Sequence, residues 1–152
     1  MKKLLLLLLR LPAAAAPTAA PPADTVLLRQ FMQAVTDGHT PDSTLIARFM
    51  CPDLLLRHGD PRVDRGRAGL TYLFGELRKD WRSRPGQLRR GRFLPSAAVP
   101  HPDFHMLGDE QGVYVLVVDD KPLIYFLVEN SQVASFLLLD QGGERYFLDF
   151  CH

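Results

Sequence analysis

Residues 112–150 read GVYVLVVDDKPLIYFLVENSQVASFLLLDQGGERYFLDF, and the fold follows from this stretch. Gly112 to Val118, Leu123 to Val128, Val133 to Leu139 and Tyr146 to Phe150 are β-branched, aromatic and leucine-rich runs of strand length. Asp119-Asp120-Lys121-Pro122, Glu129-Asn130-Ser131-Gln132 and Asp140-Gln141-Gly142-Gly143-Glu144 separate them with turn-forming residues. Connections this short join antiparallel neighbours, so the spacing predicts a four-strand meander. Neither face of these strands is polar. Ile124, Phe126 and Val128 lie on one side of their strand, and Leu123, Tyr125 and Leu127 on the other. A sheet wetted on one face alternates polar with apolar, so both faces need cover. Helices cover one. For the other, the loop from Pro85 to Gln111 is rich in Arg, Pro and Gly and poor in large apolar side chains. A homodimer through the sheet is therefore expected.

Upstream the period changes from two to 3.6. Asp24 and Thr25 open a helix whose Leu27, Leu28, Phe31, Met32 and Val35 share a face, ending by Gly38. A shorter helix starts around Thr40 to Ser43, carries Leu45, Ile46, Phe49 and Met50, and ends at Pro52. Asp53 to Gly59 reads equally as a short strand or a helical turn. Gly66 is expected to open a third helix with Leu70, Leu73, Phe74, Leu77 and Trp81 on one face. Helices first and strands last is the order of a segregated α+β domain.

The N-terminus carries an address. Met1-Lys2-Lys3, six leucines and the alanines of residues 13–16 match the charged, apolar and small-residue regions of a cleavable signal peptide. Residues 1–23 are read as this signal and an Ala/Pro leader, and residues 24–152 as one α+β domain, periplasmic or extracellular after cleavage. Without Lys2, Lys3 and Arg10, 18 basic residues become 15 against 17 acidic, so the net charge moves from +1 to −2. A nucleic-acid partner is not expected at that charge. Cys51 and Cys151 form an even pair in an exported chain, a candidate disulfide, with two buried thiols as the alternative.

Cys51 to Asp60, followed by Gly66-Arg67-Ala68 and the helix through Leu77, resembles the nuclear transport factor 2-like superfamily, including its SnoaL-like and ketosteroid isomerase branches. The resemblance covers most of residues 24 to 150 by element order, with Gly66-Arg67-Ala68 as its specific motif. It implies a cone in which helices close over a curved antiparallel sheet and leave an apolar pocket. It places His58 and Asp60, after a first strand, where enzymes of the superfamily keep an acid or base. It implies Tyr72, Trp81 and Tyr125 as pocket lining for a small apolar ligand, and pairing of subunits through the sheet. A tyrosine with a protonated aspartate, the isomerase oxyanion pair, has no residue-by-residue match here. His58 and Asp60 also flank a glycine before Pro61, as in an ordinary solvated turn.

Other constellations are weaker. His101, Asp103 and His105 supply zinc-type ligands on a loop, without further ligands nearby, so no metal is expected. Arg78, Lys79, Arg82, Arg84, Arg89, Arg90 and Arg92 make a basic segment that suits an anionic surface, or simply a solvated helix end. The serines stand in no nucleophile-elbow context, and no glycine-rich phosphate loop precedes a helix, so no cofactor is expected. The sequence thus favours a non-enzymatic binding or interaction module. The alternatives are a small isomerase- or cyclase-like enzyme using His58 or Asp60, and a structural envelope protein.

Overall fold

The computed structural model describes residues 22–57, 59–100, 105–106 and 110–151. Helices come first: α1 (Ala23–Thr36), α2 (Asp42–Phe49), the single turn α3 (Asp53–Leu56), the long α4 (Pro61–Arg82) and the short α5 (Gln87–Arg90). Strands follow: β1 (Arg92–Pro95), β2 (His105–Met106), β3 (Val113–Val118), β4 (Lys121–Glu129), β5 (Gln132–Ser135), β6 (Leu138–Gln141) and β7 (Glu144–Phe147). The α+β class is as expected.

The strands form two open sheets. β1-β3-β4-β5 is antiparallel throughout, and β2-β7-β6 is a smaller second sheet. Three hairpin turns carry paired residues in the left-handed region: Asp119 and Asp120, Asn130 and Ser131, Gly142 and Gly143. Two consecutive positive-φ residues match the twist of the flanking strands, which favours Asp, Asn and Gly there.

Three sequence expectations are corrected. The run Val133 to Leu139 is not one strand. β5 stops at Ser135, whose Oγ accepts the Leu137 N–H at 3.2 Å, and the chain crosses into the second sheet as β6. The fourth strand of the main sheet is β1, drawn from the arginine-rich segment. The helix expected to open at Gly66 begins at Pro61. Asp60 is its N-cap, accepting the Arg62 N–H at 2.9 Å, and Pro at the first position loses no hydrogen bond.

One face of the main sheet packs on the helices. Phe31 of α1 stands at the centre, with ring centroids 5.9 Å from Phe49, 6.2 Å from Phe74, 6.4 Å from Phe126 and 5.6 Å from Phe136. Edge-on contacts dominate, the arrangement that the ring quadrupole favours. Polar ties close the layer at its rim. Arg29 donates to the Leu88 and Gly91 carbonyls and lies over the Phe93 ring, fastening α1 to the segment leading into β1.

The opposite face is covered from within the chain. Val115, Val117 and Tyr125 are buried against Leu94 of β1, Val99, Leu138 of β6 and Phe147 of β7. The homodimer expected through this face is therefore not needed to bury Val115, Val117 and Tyr125. The cover comes from Leu94 and Val99 within the Pro85–Gln111 segment and from the strands that follow the crossing at Ser135. Strand alternation alone does not reveal that crossing.

Candidate functional site

The disulfide between Cys51 and Cys151 is formed, with Cα atoms 5.5 Å apart. It ties the C-terminal segment to Cys51, two residues ahead of α3. Backbone hydrogen bonds continue the attachment: the Leu148 N–H donates to the Leu137 carbonyl at 3.0 Å, and the Phe150 N–H to Ala134 at 3.3 Å. The Phe150 ring lies 5.8 Å from Phe136, within reach of the aromatic core.

Across from this tail lie α3 and the first turns of α4, and between them is a cleft of about 510 Å³. Its apolar lining comes from Leu54 of α3, Val63 of α4, and Leu148 and Phe150 of the tail. Leu148 is 42% exposed, a large apolar side chain left partly uncovered. Gly66 and Gly69 present bare backbone to the same space. A Cβ on Gly69 would meet nothing within 4 Å, so the helix is thin where the cleft needs room. Interior helix glycines each cost about 1 kcal/mol relative to alanine, and packing against a neighbour does not account for this one.

Charge surrounds the apolar lining. Arg57, Arg62 and Arg65 contribute guanidinium groups, and Asp53, Asp60 and Asp149 carboxylates. Arg65 donates through Nε to the Pro61 carbonyl at 3.1 Å. Asp149 accepts the Cys151 N–H through Oδ1 at 2.7 Å. The volume is typical of small-molecule sites, and apolar walls with a few polar groups are their usual chemistry.

The residues singled out from sequence are scattered. Asp60 and Cys151 line the cleft, and Cys51 is tied to it through the disulfide. His58 lies outside the described residues. The segment before it is the helical turn α3, so the strand that the superfamily resemblance implied there is absent. Tyr72 is 67% exposed on the outer surface of α4. Trp81 is a core residue whose Nε1 has no hydrogen-bond partner among the described residues. Tyr125 is buried beneath the second sheet, where burial pushes its phenol above the ordinary pKa. Tyr72, Trp81 and Tyr125 therefore share no pocket.

The basic segment is largely neutralised locally. Arg78 pairs with Asp42 at 2.8 Å, Arg84 with Asp80 at 3.0 Å, Arg90 with Asp119 at 3.4 Å and Arg92 with Asp120 at 3.0 Å. Lys79, Arg82 and Arg89 have no ion pair among the described residues. Of the loop expected to be metal-free, His101 and Asp103 lie outside the described residues, as does the side chain of His105. No group of three or more His, Cys, Asp or Glu suited to a metal occurs among the described residues. No described helix is long and apolar enough to cross a membrane.

Sequence reasoning missed Leu54, Val63, Leu148 and Phe150, together with Arg57 and Arg62. The available signal was Gly66 and Gly69, three apart on one helix face, opposite a tail that the cysteine pair brings close. Comparison of the chain with protein-family models, with curated proteins and with solved structures finds no match.

Proposed function

We propose that this is an exported binding module whose ligand occupies the cleft between α3, the start of α4 and the disulfide-tied tail. The observation that carries the reading is that cleft: about 510 Å³, apolar on its walls and ringed by charge. Export is supported by the leader pattern of residues 1–23 together with the Cys51–Cys151 bridge, since disulfides persist in oxidising compartments. Apolar contact supplies affinity and the charged groups set orientation.

The test is ligand screening by thermal shift on the oxidised chain, followed by Gly69→Leu, which places a side chain in the open space. A ligand that raises the melting temperature of the wild type, and no longer does so with Gly69→Leu, supports the cleft. Stabilisation that survives Gly69→Leu unchanged places the ligand elsewhere and rejects the reading.

A second reading, an isomerase- or cyclase-like enzyme, is favoured by one observation: Asp60 lines this cleft. Its carboxylate already serves as a helix N-cap, and asparagine caps equally well. Asp60→Asn therefore keeps the fold and removes the base. Turnover that disappears in this variant would establish the enzyme, and turnover that persists would exclude Asp60 from the chemistry.

A further inference from the structure

We propose that the cleft selects a carboxylate-bearing amphiphile, with its apolar body against Leu54, Val63, Leu148 and Phe150 and its anionic head on Arg57 and Arg62. This rests on the cleft being the binding site, and it adds the chemical class of the ligand.

Two of the cleft's three carboxylates accept backbone N–H groups: Asp60 from Arg62 and Asp149 from Cys151. Asp53 stands in the first turn of α3, where the helix's own N–H groups favour a negative charge. The guanidinium groups differ. The side chains of Arg57 and Arg62 make no hydrogen bond or ion pair with any described residue, and Arg65 uses its Nε alone. Each guanidinium carries five N–H donors and no acceptor. Lone pairs also remain on the three carboxylates, but the open guanidinium N–H groups outnumber them, so a ligand that fills the larger unfilled capacity brings acceptor oxygens. A carboxylate does so with charge-assisted, often bidentate geometry.

The position of the arginines strengthens the case. Arg62 and Arg65 lie in the first turns of α4, a helix of 22 residues, and Arg57 just ahead of it. The N-terminus of a helix carries partial positive charge, so cations there are unfavourable and anions favourable. Arg57 also caps the C-terminal end of α3, where a cation is favourable, but folding stability gives no reason for the unpaired Arg62 side chain at the start of α4. An anion seated among the arginines interacts favourably with the guanidinium groups and with the helix end together. Carboxylate and apolar body in one molecule fit walls that are apolar and a rim whose free groups are mostly donors.

The experiment is isothermal titration of the oxidised full chain with decanoate and with decanol, both below the concentration at which they aggregate. The expected result is binding of both, with decanoate tighter by about tenfold or more, the range expected of hydrogen bonds to a charged group. In Arg57→Gln/Arg62→Gln, decanoate falls to the affinity of decanol while decanol is unchanged. Both side chains are exposed, and a thermal melt verifies that the variant folds. Equal affinity of the wild type for the two probes overturns the anion assignment and leaves the cleft reading standing. Binding that Gly69→Leu does not weaken, or no binding of either probe, rejects the cleft reading and the carboxylate assignment with it.

Discussion

Cys51 and Cys151 are separated by 100 residues in the chain, and their bond places the tail opposite α3 so that the two form facing walls of one cleft. Closing a loop of that length restricts the unfolded chain, by up to about 4–5 kcal/mol in the chain-entropy account. Replacement of both cysteines by alanine is expected to lower stability by about 2–5 kcal/mol in urea denaturation. Ligand affinity should fall as well, because Leu148 and Phe150 lose their anchor. Unchanged affinity in the double variant would mean that the backbone bonds at residues 148 and 150 hold the wall without the bridge.

The glycines separate by the space around them. Gly69→Ala places a methyl group in the open cleft within a helix, and should raise stability by up to about 1 kcal/mol. Gly112→Ala should do the reverse. Its backbone is at φ 78°, and the new Cβ would collide with the Val128 carbonyl oxygen across the β3–β4 pairing. Parallel denaturation curves check the pair, and a stabilised Gly112→Ala would refute the packing at that turn.

Tyr114 carries a pH dependence. Burial, then a hydrogen bond of 2.8 Å donated to Asp24 Oδ2 and the charge of that carboxylate, push its pKa above the ordinary 10.0. A raised pKa means that the native state holds the proton more tightly than the unfolded chain does. The contribution is complete below pH 10 and is lost as pH rises through the native-state value. Tyr114→Phe should cost about 1–2 kcal/mol at pH 8. The difference between wild type and variant should shrink above pH 10 in a urea series, and a constant difference up to pH 11 would argue against this contact.

Arg78 and Arg92 look alike in sequence and should differ when mutated. Arg78 pairs with Asp42 and donates to the Val35 and Thr40 carbonyls at 3.1 Å each, joining α4 to the end of α1 and the start of α2. Arg92 meets Asp120 on the open surface. Arg78→Ala is expected to lose about 2–3 kcal/mol, since it leaves partners without a donor. Arg92→Ala should lose under about 1 kcal/mol, with the loss disappearing in high salt. Equal losses would refute the distinction.

The sequence by itself determined the class of the fold, the main helices and the positions of three strand-joining turns, and it made Cys51 and Cys151 a candidate pair. These are properties that neighbouring residues or composition carry: the 3.6-residue spacing of Phe31, Met32 and Val35, the Asn130-Ser131 and Gly142-Gly143 pairs, and an even pair of cysteines. Tertiary structure decided what lay beyond that range. Whether Val115 and Tyr125 face a partner or the chain itself depended on the crossing after Ser135, where a side-chain hydrogen bond replaces a strand ladder. Whether Trp81 and Tyr125 line a pocket depended on which side of the sheet each meets. The cleft belongs to no single stretch, because Leu54, Gly69 and Phe150 come from segments that periodicity treats separately. They face one another because the bond between Cys51 and Cys151 draws the last turn of chain against α3, and contacts between residues distant in sequence leave no local pattern to read.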